Sequence, residues 1–301
     1  MGTQGEQATG TSGALRRLTV AHWLRLVKFS HTLFALPFAL VATVWSLRMG
    51  GEMTWAPVGV VLLCMVFARN TAMGYNRVLD RRIDALNPRT AGREIPSGQI
   101  GVQAAKWFVA LNAVLFVLAA GLANRTALYL SPIALVLLLG YSHTKHYTML
   151  CHFWLGLTLA LAPLGASVAV RGAFGWAETL LGFGILFWVA GFDIVYALQD
   201  ETFDREQQLH SVPSRLGRRR AILVARICHV LALLAFAVAV WRMGLPAWGW
   251  APLGLFAAIL AFQHTRFSAE DIRRVGPSFM LLNGVNSLLF AAGLIIAIFF
   301  K

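Results

Sequence analysis

Residues 55–98 read WAPVGVVLLCMVFARNTAMGYNRVLDRRIDALNPRTAGREIPSG. The stretch opens with a mostly apolar run, 55–75, of the roughly 20 residues that span a bilayer as one α-helix. It then turns polar without losing the helical period. Asn76, Asp80 and Asp84 recur every four residues, which puts them on one face. A membrane helix that runs out into a stripe of carboxylates is costly unless something cationic meets it.

The pattern occurs twice. Residues 191–217, GFDIVYALQDETFDREQQLHSVPSRLG, place Asp193, Tyr196, Asp200 and Asp204 at the end of another apolar run. Tyr196, Asp200 and Asp204 follow Asn76, Asp80 and Asp84 by 120 positions each, which hints at one supersecondary unit used twice.

The composition supports a membrane reading. Of 301 residues, 58% are hydrophobic and 13% charged, and the mean hydropathy is +0.65. Soluble domains carry roughly 25% charge. A net charge of +13 would suit nucleic acid in a soluble protein, but here the basic residues cluster in alternate loops, so membrane lipid and not nucleic acid is the expected surrounding. Cys64, Cys151 and Cys228 lie in apolar stretches without metal-ligand spacing and imply neither a disulfide framework nor a zinc site.

Nine stretches are apolar over enough residues to cross a membrane: 29–47, 55–75, 104–123, 126–142, 149–170, 176–198, 221–241, 247–265 and 277–299. The expected fold class is all-α, a polytopic membrane bundle of about nine transmembrane helices. Residues 1–14, rich in Gly, Thr and Gln, read as a flexible tail, and 15–301 as a single transmembrane domain. Arg16, Arg17, Arg25 and Lys28, then Arg77 to Arg93, Lys145, Arg205 to Arg220, and Arg266 to Arg274 fall in one set of connections; the other set holds Arg48, Arg125, Arg171, Arg242 and Lys301. The positive-inside rule puts the N-terminus and both acidic motifs in the cytoplasm. Trp55, Trp176, Trp241, Trp248 and Trp250 fall near the opposite ends, as interfacial aromatics.

The residue types indicate chemistry. Carboxylates one helical turn apart offer hard oxygen ligands, which magnesium prefers while it bridges phosphate oxygens. Asp80, Asp84, Asp200 and Asp204 are the candidate metal ligands, with Asn76 adding a neutral oxygen. Arg93, Lys145 and Arg69 stand where they could hold a diphosphate, and Tyr196 could bond a phosphate oxygen or orient a carboxylate. Asp193 lies deeper than the other acids. A plainer reading competes: Arg81 and Arg82 beside Asp80, and Arg205 beside Asp204, invite local ion pairs. His31, His143, His146 and His210 read as interfacial or solvated rather than as ligands.

Four motifs follow one another in the chain: NxxxDxxxD at Asn76, Asp80 and Asp84; RTAxRxxPSG at Arg89, Thr90, Ala91, Arg93, Pro96, Ser97 and Gly98; YxxxKxxT at Tyr141, Lys145 and Thr148; and DxxYxxxDxxxD at Asp193, Tyr196, Asp200 and Asp204. In this combination the chain resembles the UbiA-type intramembrane aromatic prenyltransferases, with Arg69 where that family has an arginine upstream of the first motif. The resemblance implies a nine-helix bundle around a central cavity open to the membrane. It implies a bacterial inner-membrane enzyme that takes a polyprenyl diphosphate through Mg2+ and prenylates an aromatic acceptor on a ring carbon, for ubiquinone or menaquinone. Carried over by residue, Asp80, Asp84 and Asn76 hold one magnesium and Asp200 and Asp204 another. Arg69, Arg93 and Lys145 contact diphosphate, and Asp193 activates the acceptor's phenol or accepts its proton.

One segment departs. Residues 25–39, RLVKFSHTLFALPFA, lack the Asp–Lys–Pro that opens the first helix of the 4-hydroxybenzoate enzymes. This variant looks like a subgroup linked to the futalosine route to menaquinone. The expected acceptor is 4-hydroxybenzoate, a naphthoate or a futalosine-route intermediate. An intramembrane cation-binding transporter is the rival from another class; it expects acids near the bilayer midplane with broken helices around them.

Overall fold

A segment in hydrocarbon must satisfy every backbone N–H and C=O internally, so apolar runs of this length fold as helices. The computed structural model describes residues 20–27, 34–50 and 54–301. The tail expected at 1–14, the basic residues Arg16, Arg17 and Lys28, and His31 lie outside the described residues. In chain order the α-helices are α1 (Val20–Leu26), α2 (Leu36–Gly50), α3 (Ala56–Leu86), α4 (Val102–Ala123), α5 (Arg125–Tyr147), α6 (Cys151–Arg171), α7 (Trp176–Ala197), α8 (Glu201–Glu206), α9 (Val212–Leu216), α10 (Arg218–Met243), α11 (Ala251–His264) and α12 (Pro277–Phe299). Among the described residues there is no strand.

Among the described residues seven helices are long and apolar enough to cross a membrane: α3, α4, α5, α6, α7 with its continuation to Glu206, α10 and α12. Residues 29–33 of the first expected span lie outside the described residues, and the eighth expected span is shorter. α2 has 15 residues, and α11 has 14, because its expected start folds instead as a 3₁₀ turn, Ala247–Trp250. α3 is longer than expected. Its 31 residues make a rod of about 46 Å, against a hydrocarbon core of about 30 Å.

α7 is the best-buried helix, and it anchors the main apolar core together with α2, α10, α11 and α12. The rings of Phe38, Trp188, Phe236, Phe256 and Phe290 form one aromatic knot, with contacting centroids 5.0–5.9 Å apart. α6 closes on the other side of α7 because Gly156 has no Cβ; one built there would overlap the carbonyl of Leu186. Small residues permit this backbone approach in membrane bundles, where packing replaces the hydrophobic drive. α3 packs against α4 and α5 beside this core.

The arrangement gathers the ends of α3, α5 and α7 with the start of α6 and the loops 87–101 and 207–211. Trp55, Trp176, Trp241, Trp248 and Trp250 are exposed at the opposite ends of their helices.

Candidate active site

Those converging ends enclose a polar chamber of about 190 Å³. Its walls include Asn76, Arg77, Asp80 and Asp84 from α3, Arg89 and Arg93 from the following loop, Lys145 and His146 from α5, His152 from α6, and Asp193, Tyr196 and Asp200 from the second motif. The two motifs therefore meet in one space.

The loop after α3 is built to aim two arginines into it. The Asn87 side chain accepts from Arg89 N at 2.9 Å, and Thr90 Oγ1 donates to the carbonyl of Asp84 at 2.9 Å. Consecutive turns then run Arg93 N to Thr90 O, Ser97 N to Arg93 O and Gly98 N to Ile95 O, each 3.0 Å. Gly98 takes φ +72°, a left-handed conformation that disfavours any Cβ. Ile95 and Ile100 are buried and hold the loop down.

Each motif acid carries a partner from elsewhere in the site. Asp84 meets Arg93 at 2.6 Å and Arg77 at 3.9 Å. Asp200 meets Arg89 through both oxygens, and Asp204 meets Lys145 at 2.7 Å. Asp80 accepts from Asn76 at 2.8 Å and lies 3.4 Å from His146. The local pairs suggested by chain proximity are not the ones formed. Arg205 pairs one turn back with Glu201 at 2.9 Å, and Arg81 donates to the carbonyl of Val78 at 2.7 Å, since their side chains leave the helix on other faces than the acids.

The second motif differs from the first in backbone. α3 carries Asn76, Asp80 and Asp84 on one unbroken helix. α7 stops at Ala197, tightens into a 3₁₀ turn at Leu198–Asp200 and resumes as α8. Tyr196, Asp200 and Asp204 thus do not form one regular stripe. Asp204 is fully buried, beneath the chamber wall rather than on it. Tyr196 faces the chamber under Arg89, whose guanidinium lies 5.7 Å from its ring centre.

A second chamber, apolar and about 410 Å³, runs between α3, α5 and α6 from Tyr141 to Ala127, Val168 and Phe174. Tyr141 lines both chambers. Arg69 lines this second chamber and not the polar one. Seven residues along a helix is about 10 Å, and that distance carries it past the polar walls.

The UbiA prenyltransferase family matches residues 35–285. The chain belongs to this family. Among its relatives, a 4-hydroxybenzoate octaprenyltransferase of Albidiferax ferrireducens is 30% identical over 227 residues, 74% of each chain. A 4-hydroxybenzoate octaprenyltransferase of Sodalis glossinidius is 28% identical over 271 residues, 89% of this chain and 92% of that one. Among solved structures, the apo UbiA homolog of Aeropyrum pernix K1 is 31% identical, with a TM-score of 0.79 over 88% of this chain and 97% of that one. A UbiA homolog of Archaeoglobus fulgidus, solved bound to GPP and Mg2+, shares the fold at 20% identity, with a TM-score of 0.71 over 92% of this chain and 99% of that one.

The residues present suit such a metal. Their donors are carboxylate oxygens, which magnesium takes. Asp84 Oδ2 and Asp204 Oδ2 are buried and accept no hydrogen bond among the described residues. A buried acceptor without a donor is costly, and a cation would relieve it.

The transporter reading expects acids near the bilayer midplane with broken helices around them, and the first motif does not match it, because Asp80 and Asp84 sit in the last two turns of an unbroken helix. Sequence reasoning missed His146, His152 and buried Arg77 as parts of the site. His146 follows Lys145 directly, which was its one available signal. His152 is 41 positions from its partner Asp193, and no spacing rule links them.

Proposed function

We propose that this UbiA-family enzyme transfers a polyprenyl group from polyprenyl diphosphate to a ring carbon of an aromatic acceptor, 4-hydroxybenzoate or a related quinone precursor. One observation carries the reading: an acid- and arginine-lined chamber and an apolar chamber share the wall residue Tyr141. A molecule with a charged head and a long hydrocarbon tail matches that pair.

In this reading Asp80, Asp84, Asp200 and Asp204, with Asn76 beside them, would hold Mg2+. The metal would supply charge neutralisation on the leaving diphosphate. Arg93, Lys145, Arg89 and Arg77 bind the diphosphate oxygens, so that charge developing there meets fixed cations. Arg69, lining the apolar chamber, would reach the junction from the tail side, and Tyr196 would hydrogen-bond a phosphate oxygen. The allylic carbon–oxygen bond lengthens toward a cation, and the apolar walls keep water from capturing it. Asp193 orients the acceptor's phenol and takes its proton as the ring carbon bonds to the allylic carbon and diphosphate departs. A base then removes the proton of that ring carbon, which restores the aromatic ring, and the phenol regains its own. The basic loops around the site support a cytoplasmic face of a bacterial inner membrane.

The test is a labelled-prenyl-diphosphate assay of membranes with a panel of phenols and naphthoates. Product should form with Mg2+ and vanish on chelation. Asp80→Ala and Asp200→Ala should abolish turnover while the protein stays inserted. Retained activity in both variants, or no product with any acceptor, would overturn the proposal.

A further inference from the structure

We infer that His152 is a positioning residue that locks Asp193 in its acceptor-facing orientation. The ring is buried, 3% exposed, at the start of α6. His152 Nδ1 lies 2.7 Å from Asp193 Oδ2, and His152 Nε2 accepts the backbone N–H of Val212 at 3.2 Å.

Those two contacts define the tautomer. A backbone N–H can only donate, so Nε2 presents its lone pair and carries no proton. The ring proton then sits on Nδ1 and is given to Asp193. One carboxylate oxygen of Asp193 is thereby fixed, on a side chain 26% exposed to the chamber.

The hold on the ring comes from the second motif's own loop. Val212 is the first residue of α9, whose initial N–H groups have no partner within the helix. The adjoining chain is pinned to the diphosphate half of the site: Leu209 N donates to the carbonyl of Asp204 at 2.7 Å, and His210 N to that of Lys145 at 2.8 Å. The capping box of Ser211 and Ser214 sets the start of α9. His152 thus ties the acid assigned to the acceptor to the segment that is pinned to the backbone of Asp204 and Lys145, two of the residues assigned to the donor. It makes this tie through Asp193 and touches no reacting atom.

This inference rests on the acceptor role proposed for Asp193, and its test separates the two. With wild-type protein, His152→Phe should raise the acceptor KM by about tenfold, the worth of one hydrogen bond to a charged group. The donor KM should stay unchanged. His152→Asn, which keeps a neutral N–H near the Nδ1 position, should recover most of the loss. In an Asp193→Ala background, His152→Phe should cost nothing further. Independently of turnover, 15N NMR of histidine-labelled protein in liposomes should show a neutral ring protonated on Nδ1, whose signal disappears in His152→Phe. Equal rises in both KM values, additive losses, or a proton on Nε2 would overturn the assignment. A wild-type protein that prenylates no acceptor would sink the functional reading, while the NMR tautomer would still decide the His152 contact.

Discussion

Arg89 holds Asp200 by two parallel hydrogen bonds, Nε to Oδ1 at 3.0 Å and Nη2 to Oδ2 at 2.5 Å. The two residues are 111 positions apart, and Asn87 adds a longer contact of 3.5 Å to the same carboxylate. Burial alone would lower the Arg89 guanidinium, but its bonds to Asp200 outweigh that and hold it above the ordinary arginine value. The loop behind the first motif is thereby fastened to the centre of the second.

Lysine cannot reproduce this contact, because it offers a point charge where arginine offers a planar fork. Arg89→Lys should therefore lower kcat/KM for the prenyl diphosphate by about tenfold or more. Initial rates at saturating acceptor check this. An unchanged value would mean that charge alone matters at position 89.

The apolar chamber should set the length of the transferred chain. A Cβ on Gly165 meets nothing within 4 Å, and the residue lines the chamber. Gly165→Phe should fill part of it without disturbing the helices. Long prenyl donors should then lose kcat/KM, while donors of two isoprene units keep theirs. A donor-length series compared with wild type would show it; equal losses at all lengths would place the tail elsewhere.

Gly156 is a packing position with no chemistry of its own. Gly156→Val forces a side chain into the backbone of α7 at Leu186. Overpacking of this kind costs about 1–3 kcal/mol. The variant should unfold at lower temperature in detergent, and it should lose activity in step with folded protein rather than through KM.

Much of the fold could be read from the chain because hydrocarbon leaves few options. Apolar length located the long spans, and the alternation of basic loops gathered the motif-bearing ends together. What failed was local. Nothing in GFDIVYALQD announces that α7 tightens at Leu198, since no Gly or Pro marks the change. The short α11 was hidden for the opposite reason: Trp248 and Trp250 are as apolar in a 3₁₀ turn as in a helix. In the site, the acids were legible from their four-residue period. Their partners were not, because Arg89 with Asp200 and His152 with Asp193 are tertiary choices between distant segments. Arg69 lies two turns before Asn76, as its spacing says, but it lines the apolar chamber and not the polar one.

The unbroken α3 makes lipid itself a variable of this site. A stiff rod longer than the bilayer answers a change in hydrophobic thickness by tilting. Tilt swings Asp80 and Asp84 sideways as one piece. Asp200 follows a joint at Leu198 and need not swing with them. The registry between the two acid sets is then tuned by acyl-chain length, and turnover in vesicles of graded thickness should pass through a single maximum.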